Sequence, residues 1–155
     1  MTDYNFQPIG RVINQPEEAF FAIQLDPPFA PGLQRLDEYS HVYVIWLLNA
    51  SADAKETPHV LCHPPYPDAG EVGVFACRSP RRPNPIGLTL TEIVRADPST
   101  GLLQVTWLDA FDGTPVLDLK PYIPASDRVQ AARTPAWMAG WPEWYQTGKS
   151  PSQSN

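Results

Sequence analysis

A chain of 155 residues with a formal charge of −6 falls in the size range of a single domain that buries its own core without metal or disulfide staples. The acidic balance argues against a uniformly positive surface that wraps nucleic acid, since such binding rests on many Lys and Arg contacts to phosphate, and it leaves room only for a local basic patch. The 19 prolines, against an average usage of about 5%, exclude long helices, because proline removes a backbone donor and clashes with the preceding turn.

In chain order, the start Met1-Thr-Asp-Tyr has neither the basic nor the apolar region of a secretory leader, and the longest apolar stretch, Val42 to Leu48, is far too short for a membrane helix. A soluble, cytoplasmic protein with no membrane partner is expected. Strand character is read over Ile9 to Ile13, Ala19 to Leu25, His41 to Leu48, Val72 to Ala76, Ile86 to Val94, Leu102 to Leu108 and Val116 to Leu119. The third segment is apolar on both faces and is placed centrally, covered from two sides. In Ile86-Gly-Leu-Thr-Leu-Thr the apolar residues alternate with Gly87, Thr89 and Thr91, the period of a sheet with one buried face. Ile93 falls out of phase, which marks a bulge or bend of the kind a closed sheet needs.

Asp97-Pro-Ser-Thr-Gly101 reads as a hairpin connection, and Asp112-Gly113-Thr-Pro as a tight turn in which Gly113 takes positive φ. Both favour antiparallel pairing. Ala50 to Gly70 reads as a long loop, rich in proline. With no amphipathic helices between the strands, the expected architecture is all-β: a small single-sheet barrel with short helical segments, one domain over 1–146 with an aromatic C-terminal extension, and a polar, disordered tail over 147–155.

Chemistry concentrates in two clusters. In Arg78-Ser-Pro-Arg-Arg-Pro-Asn-Pro-Ile-Gly87, three prolines stiffen a loop carrying three arginines. Such a loop loses little entropy when a ligand docks. Arg78, Arg81 and Arg82 offer forked donors to carboxylate or phosphate, and Asn84 both donates and accepts. In Leu108-Asp-Ala-Phe-Asp-Gly-Thr-Pro-Val-Leu-Asp-Leu-Lys-Pro-Tyr-Ile-Pro124, Asp109 and Asp112 flank a strand end where carboxylates accept from a ribose hydroxyl or an amine, although Asp112 also suits a simple turn cap. Asp118 and Lys120 share a strand face, either as a surface ion pair or as a pair that orients the ammonium in a site. His59-Val-Leu-Cys-His63 lacks the four spaced ligands of a zinc centre, so no metal is expected, and no catalytic residue can be named. Trp137, Trp141, Trp144 and Tyr145 recur at helical spacing, interrupted by Gly140 and Pro142, and read as a packing stripe in preference to a base-stacking platform.

The same two clusters, with Ile9-Gly-Arg-Val and Leu36-Asp-Glu-Tyr-Ser-His-Val-Tyr-Val, resemble the signatures of the TsaA-like family, which includes bacterial tRNA methyltransferases; the likeness spans most of residues 7–125. The resemblance implies a small β-barrel that forms a homodimer and binds S-adenosylmethionine near the subunit interface. It also implies methylation of threonylcarbamoyladenosine beside the anticodon of tRNA. Carried over by position, cofactor contacts fall on Asn49, Ala50, Arg78, Leu88, Thr106, Trp107, Leu108 and Asp109, with Asp112 and Gly113 beside them, and Leu88 and Leu108 as apolar walls. Arg78 faces either the methionine carboxylate or the substrate, and Arg81, Arg82, Asn84, Lys120 and Tyr122 are the substrate-facing candidates. The sequence departs from the family pattern at Asn14-Gln-Pro-Glu-Glu-Ala-Phe, where a Pro-Arg-Gln-Pro-Gly-like loop is usual, and at Cys77, where Thr is common; the further domain of some bacterial members has no counterpart.

Overall fold

The computed structural model describes residues 5–13, 20–48 and 60–147. Six strands close into an antiparallel barrel: β1 (Gly10–Ile13), β2 (Phe21–Leu25), β3 (His41–Leu47), β6 (Ile86–Asp97), β7 (Leu102–Val105) and β8 (Pro115–Pro121), in the order β1-β2-β7-β6-β3-β8. Two short strands, β4 (Leu61–Cys62) and β5 (Val72–Gly73), pair as a separate ribbon. The core is the barrel interior, where Val12, Ile23, Leu25, Val42, Val44, Trp46, Leu103, Val105 and Val116 pack with Leu33 and Leu108. Closure leaves β3 no edge: it pairs with β6 on one side and β8 on the other, while Val42, Val44 and Trp46 point inward and His41, Tyr43, Ile45 and Leu47 lie half-buried outside.

On β6 the expected period of two is present, but its sense is opposite to that of an ordinary sheet. Gly87, Thr89 and Thr91 face the interior, whereas Ile86 and Leu88 are 37% and 44% exposed. The cause is Trp46. Its indole lies across from Gly87, in the volume a larger residue would take, and its Nε1 donates to Thr89 Oγ1 at 3.1 Å. Thr91 Oγ1 accepts from the Trp107 amide at 3.2 Å, so the buried hydroxyls are partnered and stabilise the fold. The out-of-phase Ile93 marks a register shift between Ile93 and Arg95, and there β6 passes from pairing with β3 to pairing with β7.

Both turns form as expected. Asp97 Oδ1 accepts from the Ser99 amide (2.9 Å), the Ser99 hydroxyl (2.6 Å) and the Thr100 amide (3.3 Å), which pulls the Asp97 carboxyl below its ordinary range. Gly101 closes the hairpin at φ +72°, and Gly113 sits at φ +74° with its amide donating to Val12 O at 2.9 Å.

Other expectations are corrected. The strand over Val72 to Ala76 stops at Gly73, and Val74–Ala76 forms a 3₁₀ turn that drives Val74 into the interior. β7 ends at Val105, not Leu108, because the chain turns inward to bury Leu108. Within the proline-rich stretch Leu61–Cys62 is a strand, while 50–59 lies outside the described residues. The Trp stripe is not a helix. Only Ala136–Met138 forms a 3₁₀ turn, as Gly140 takes φ +87°. Trp137 stacks on Tyr66 at 5.7 Å, Trp141 meets the edge of Tyr66 at 5.0 Å, and Trp144 lies under Arg128 at 4.9 Å. Trp137 and Trp141 tie the C-terminal segment to the stretch before β5, a packing role reached without helical geometry. No helix among the described residues is long and apolar enough to cross a membrane.

Candidate functional site

Because every neighbouring pair of strands is antiparallel, the barrel has two distinct rims. One collects the ends of β1, β3 and β7 and the starts of β2, β6 and β8, and so carries Leu48, the loop 78–85 and the segment 106–114. The two sequence clusters therefore meet at one rim by topology. The opposite rim carries the 3₁₀ segments Pro27–Leu33 and Leu36–Glu38 and the 97–101 hairpin. An open cavity of about 620 Å³, lined by Leu25, Phe29, Leu33, Tyr39, Asp118 and Leu119, also lies toward that rim, away from the loop 78–85 and the segment 106–114.

The basic loop is held by its own backbone. Arg82 N donates to Pro80 O at 3.0 Å and Ile86 N to Asn84 O at 2.7 Å, bracing the loop internally, and Leu48 N donates to Pro85 O at 2.8 Å, which ties its C-terminal end to the end of β3. Arg82 is half-buried and Nη1 donates to Cys77 O at 3.2 Å, which gives it a structural task at the loop's root. Arg78, Arg81 and Asn84 are exposed. On the other segment, Thr106 N donates to Glu92 O at 3.0 Å, Asp109 and Asp112 are exposed, and Gly113 is exposed with open space where a side chain would stand. Leu108, expected as an apolar wall, is instead 2% exposed within the core; of the two proposed walls only Leu88 presents surface. Asn49, Ala50, His59 and the Asn14 to Ala19 stretch lie outside the described residues. Among the described residues no three His, Cys, Asp or Glu side chains converge on a metal-sized site.

Lys120 and Tyr122 do not reach the rim. They lie on the outer wall, where the register aligns Leu88, Ile45 and Asp118 in one row and Leu90, Tyr43 and Lys120 in the next. Lys120 Nζ is 2.8 Å from Asp118 Oδ2, and the carboxylate holds the ammonium above its ordinary pKa. Tyr122 packs 6.2 Å from the Tyr43 ring and 6.3 Å from His41, which also meets Tyr145 edge-on at 5.1 Å. Sequence reasoning missed this Tyr43-centred cluster, because only the β3–β8 register joins its members. Burial raises the Tyr43 phenol above its usual pKa, Asp127 and Tyr122 add to the rise, and the Arg78 charge opposes it. Arg78, at the rim, is therefore near enough for its charge to act on the Tyr43 phenol. Arg78→Ala is expected to move the Tyr43 titration midpoint upward, followed by NMR of ring-labelled tyrosine; an unmoved midpoint would place the guanidinium away from the ring.

A closed antiparallel barrel that brings a proline-stiffened arginine loop to one rim beside an Asp-Gly turn defines a class of small barrel proteins. The family described as tRNA-methyltransferase O N-terminal domain matches residues 7–128, and the chain belongs to it. A probable S-adenosyl-L-methionine-binding protein of Archaeoglobus fulgidus is 44% identical over 112 residues, covering 72% of this chain and 28% of that protein. The tRNA (adenine(37)-N6)-methyltransferase of Escherichia coli is 32% identical over 151 residues, covering 85% and 63%. A crystal structure of TrmO superposes with a TM-score of 0.67 at 30% identity, covering 86% of this chain and 64% of that one. The chain thus spans about a quarter to two thirds of the length of these relatives.

Proposed function

We propose that the chain is an S-adenosylmethionine-dependent methyltransferase of the cytoplasm that works as a homodimer. Its acceptor is tRNA, at N6 of threonylcarbamoyladenosine beside the anticodon. The observation that carries this reading is the family match over residues 7–128, a span that contains both clusters. The donor set suits the cofactor: Arg78 for a carboxylate, Asp109 and Asp112 for an ammonium or ribose hydroxyls, and exposed Leu88 and Ile86 for an adenine face. The backbone of Thr106 to Leu108 and Gly113 edges the same rim, and Leu48 reaches it at the end of β3, with Asn49 and Ala50 next in sequence.

The bound cofactor supplies an electrophilic sulfonium methyl. The chain's part is to orient the acceptor nitrogen and exclude water, with Arg81 and Asn84 facing the RNA at the rim, Arg82 stiffening the loop, and Lys120 and Tyr122 left to contact RNA that extends along the outer wall. No side chain needs to attack covalently. The outward apolar row on β3 and β6, from Ile45 and Leu47 to Ile86 and Leu88, supports a subunit contact there.

The test is incubation of the purified protein with methyl-labelled S-adenosylmethionine and tRNA lacking the modification, read by nucleoside mass spectrometry. One methyl gained on threonylcarbamoyladenosine is the expected result. Binding without transfer to any tRNA would favour a cofactor-binding module, the role that the name of the Archaeoglobus relative describes. No binding by folded protein would overturn the cofactor assignment.

A further inference from the structure

The chain has 2 cysteines, separated in sequence and brought together by the β4–β5 ribbon. Cys62 ends β4 opposite Val72, and Cys77 follows the 3₁₀ turn that continues β5. Their sulfurs are 2.8 Å apart, both thiols are free and half-buried, and Cys77 Sγ lies 3.5 Å from Val74 O. Closing to the ~2.05 Å of an S–S bond requires well under 1 Å of further approach. The Cys77 carbonyl is the acceptor for Arg82 Nη1 at 3.2 Å, so whatever fixes Cys77 also fixes the root of the arginine loop.

The geometry points to a reversible oxidation site: Cys62 and Cys77 are converted by a peroxide into an intramolecular disulfide that clamps the β4–β5 ribbon to the base of the loop 78–85. The Cys62 thiol is pushed up by its hydrogen bond with Cys77 and by burial, so it holds its proton and acts second. In the first step the Cys77 sulfur attacks one peroxide oxygen and the O–O bond breaks. Water leaves, and Cys77 becomes a sulfenic acid. In the second step the Cys62 sulfur attacks the Cys77 sulfur, the S–S bond forms as the S–O bond breaks, and the departing hydroxide takes up the Cys62 proton as a second water. The two thiols together give up two electrons and two hydrogens to one peroxide. The site is independent of the methyl-transfer reading.

Reduced full-length protein is titrated with hydrogen peroxide, quenched with an alkylating reagent and examined by intact-mass and peptide mass spectrometry. The expected result is concerted loss of both alkylatable thiols, a mass lower by two hydrogens, a linked Cys62–Cys77 peptide and full reversal by dithiothreitol. Cys62→Ser should instead accumulate a Cys77 sulfenic acid that dimedone traps. Independent oxidation of the two thiols to sulfinic acids, or linkage only between copies on a non-reducing gel, overturns the proposal. Hydrogen exchange of residues 78–87 should slow in the oxidised form and recover on reduction; unchanged exchange overturns the clamp.

Discussion

Gly87→Ala is expected to destabilise the barrel by about 2–3 kcal/mol, the upper part of the range for forcing an extra methyl into a packed interior. A Cβ at this position would lie 2.6 Å from Trp46 Cδ2 and 2.7 Å from Cζ2, with Cε2 closer still. The indole cannot slide away freely, because its Nε1 is held by Thr89 Oγ1 at 3.1 Å and the ring is 8% exposed. Displacing it leaves a buried hydroxyl and a buried indole N–H without partners, adding to the steric cost. For a domain of this size the thermal midpoint should fall by roughly 4–12 °C. The mechanism is specific to the pair, so Trp46→Leu in the Gly87→Ala background should recover part of the loss. A double-mutant cycle by denaturant unfolding that proved additive would show that the glycine matters for some other reason.

Arg78→Ala should weaken S-adenosylmethionine binding roughly 10- to 150-fold, the equivalent of one charge-assisted hydrogen bond worth about 1.5–3 kcal/mol. Arg78 is an exposed cation at the rim whose field reaches Tyr43, while Arg82 is engaged with the Cys77 carbonyl and holds the loop. Arg82→Ala should instead lower the thermal midpoint by loosening the loop, so substitutions at the two arginines have different signatures. Loss of Arg78 should leave the thermal midpoint nearly unchanged and lower affinity, with Arg78→Lys restoring only part of it because an ammonium cannot present a fork. Isothermal titration on protein verified as folded by circular dichroism reads the effect, and wild-type affinity in Arg78→Ala would remove Arg78 from the proposed cofactor contacts.

Local patterns were legible wherever a few neighbouring residues decide the outcome. The Asp97 and Gly113 turns, the phase break at Ile93 and the all-β class follow from turn chemistry and period alone. What local pattern did not carry is the sense of the alternation. Ile86-Gly-Leu-Thr reads as apolar-in, and the structure puts glycine and threonine inside because Trp46, some 40 positions away on β3, already fills that volume. In the Trp-rich segment the helical spacing, interrupted in sequence by Gly140 and Pro142, forms no long helix: Gly140 sits at φ +87°, and Trp137 and Trp141 are placed by contact with Tyr66. At the candidate site, the two clusters were visible as composition. The Tyr43, Tyr122 and His41 grouping and the Cys62–Cys77 contact were not, since each depends on a strand register that one sequence does not display.

The pairing of β1 with β8, Gly10 beside Val116, has a consequence for how the molecule is made. The hairpin β6–β7 joins near neighbours and can form early, whereas the β1–β8 seam must bring together two remote parts of the chain before any of its bonds reward the entropy lost. During synthesis the seam cannot zip until residues 115–121 have emerged, so Gly113, whose amide bonds to Val12 O, joins the rim it shares with the basic loop only once the two ends of the barrel meet.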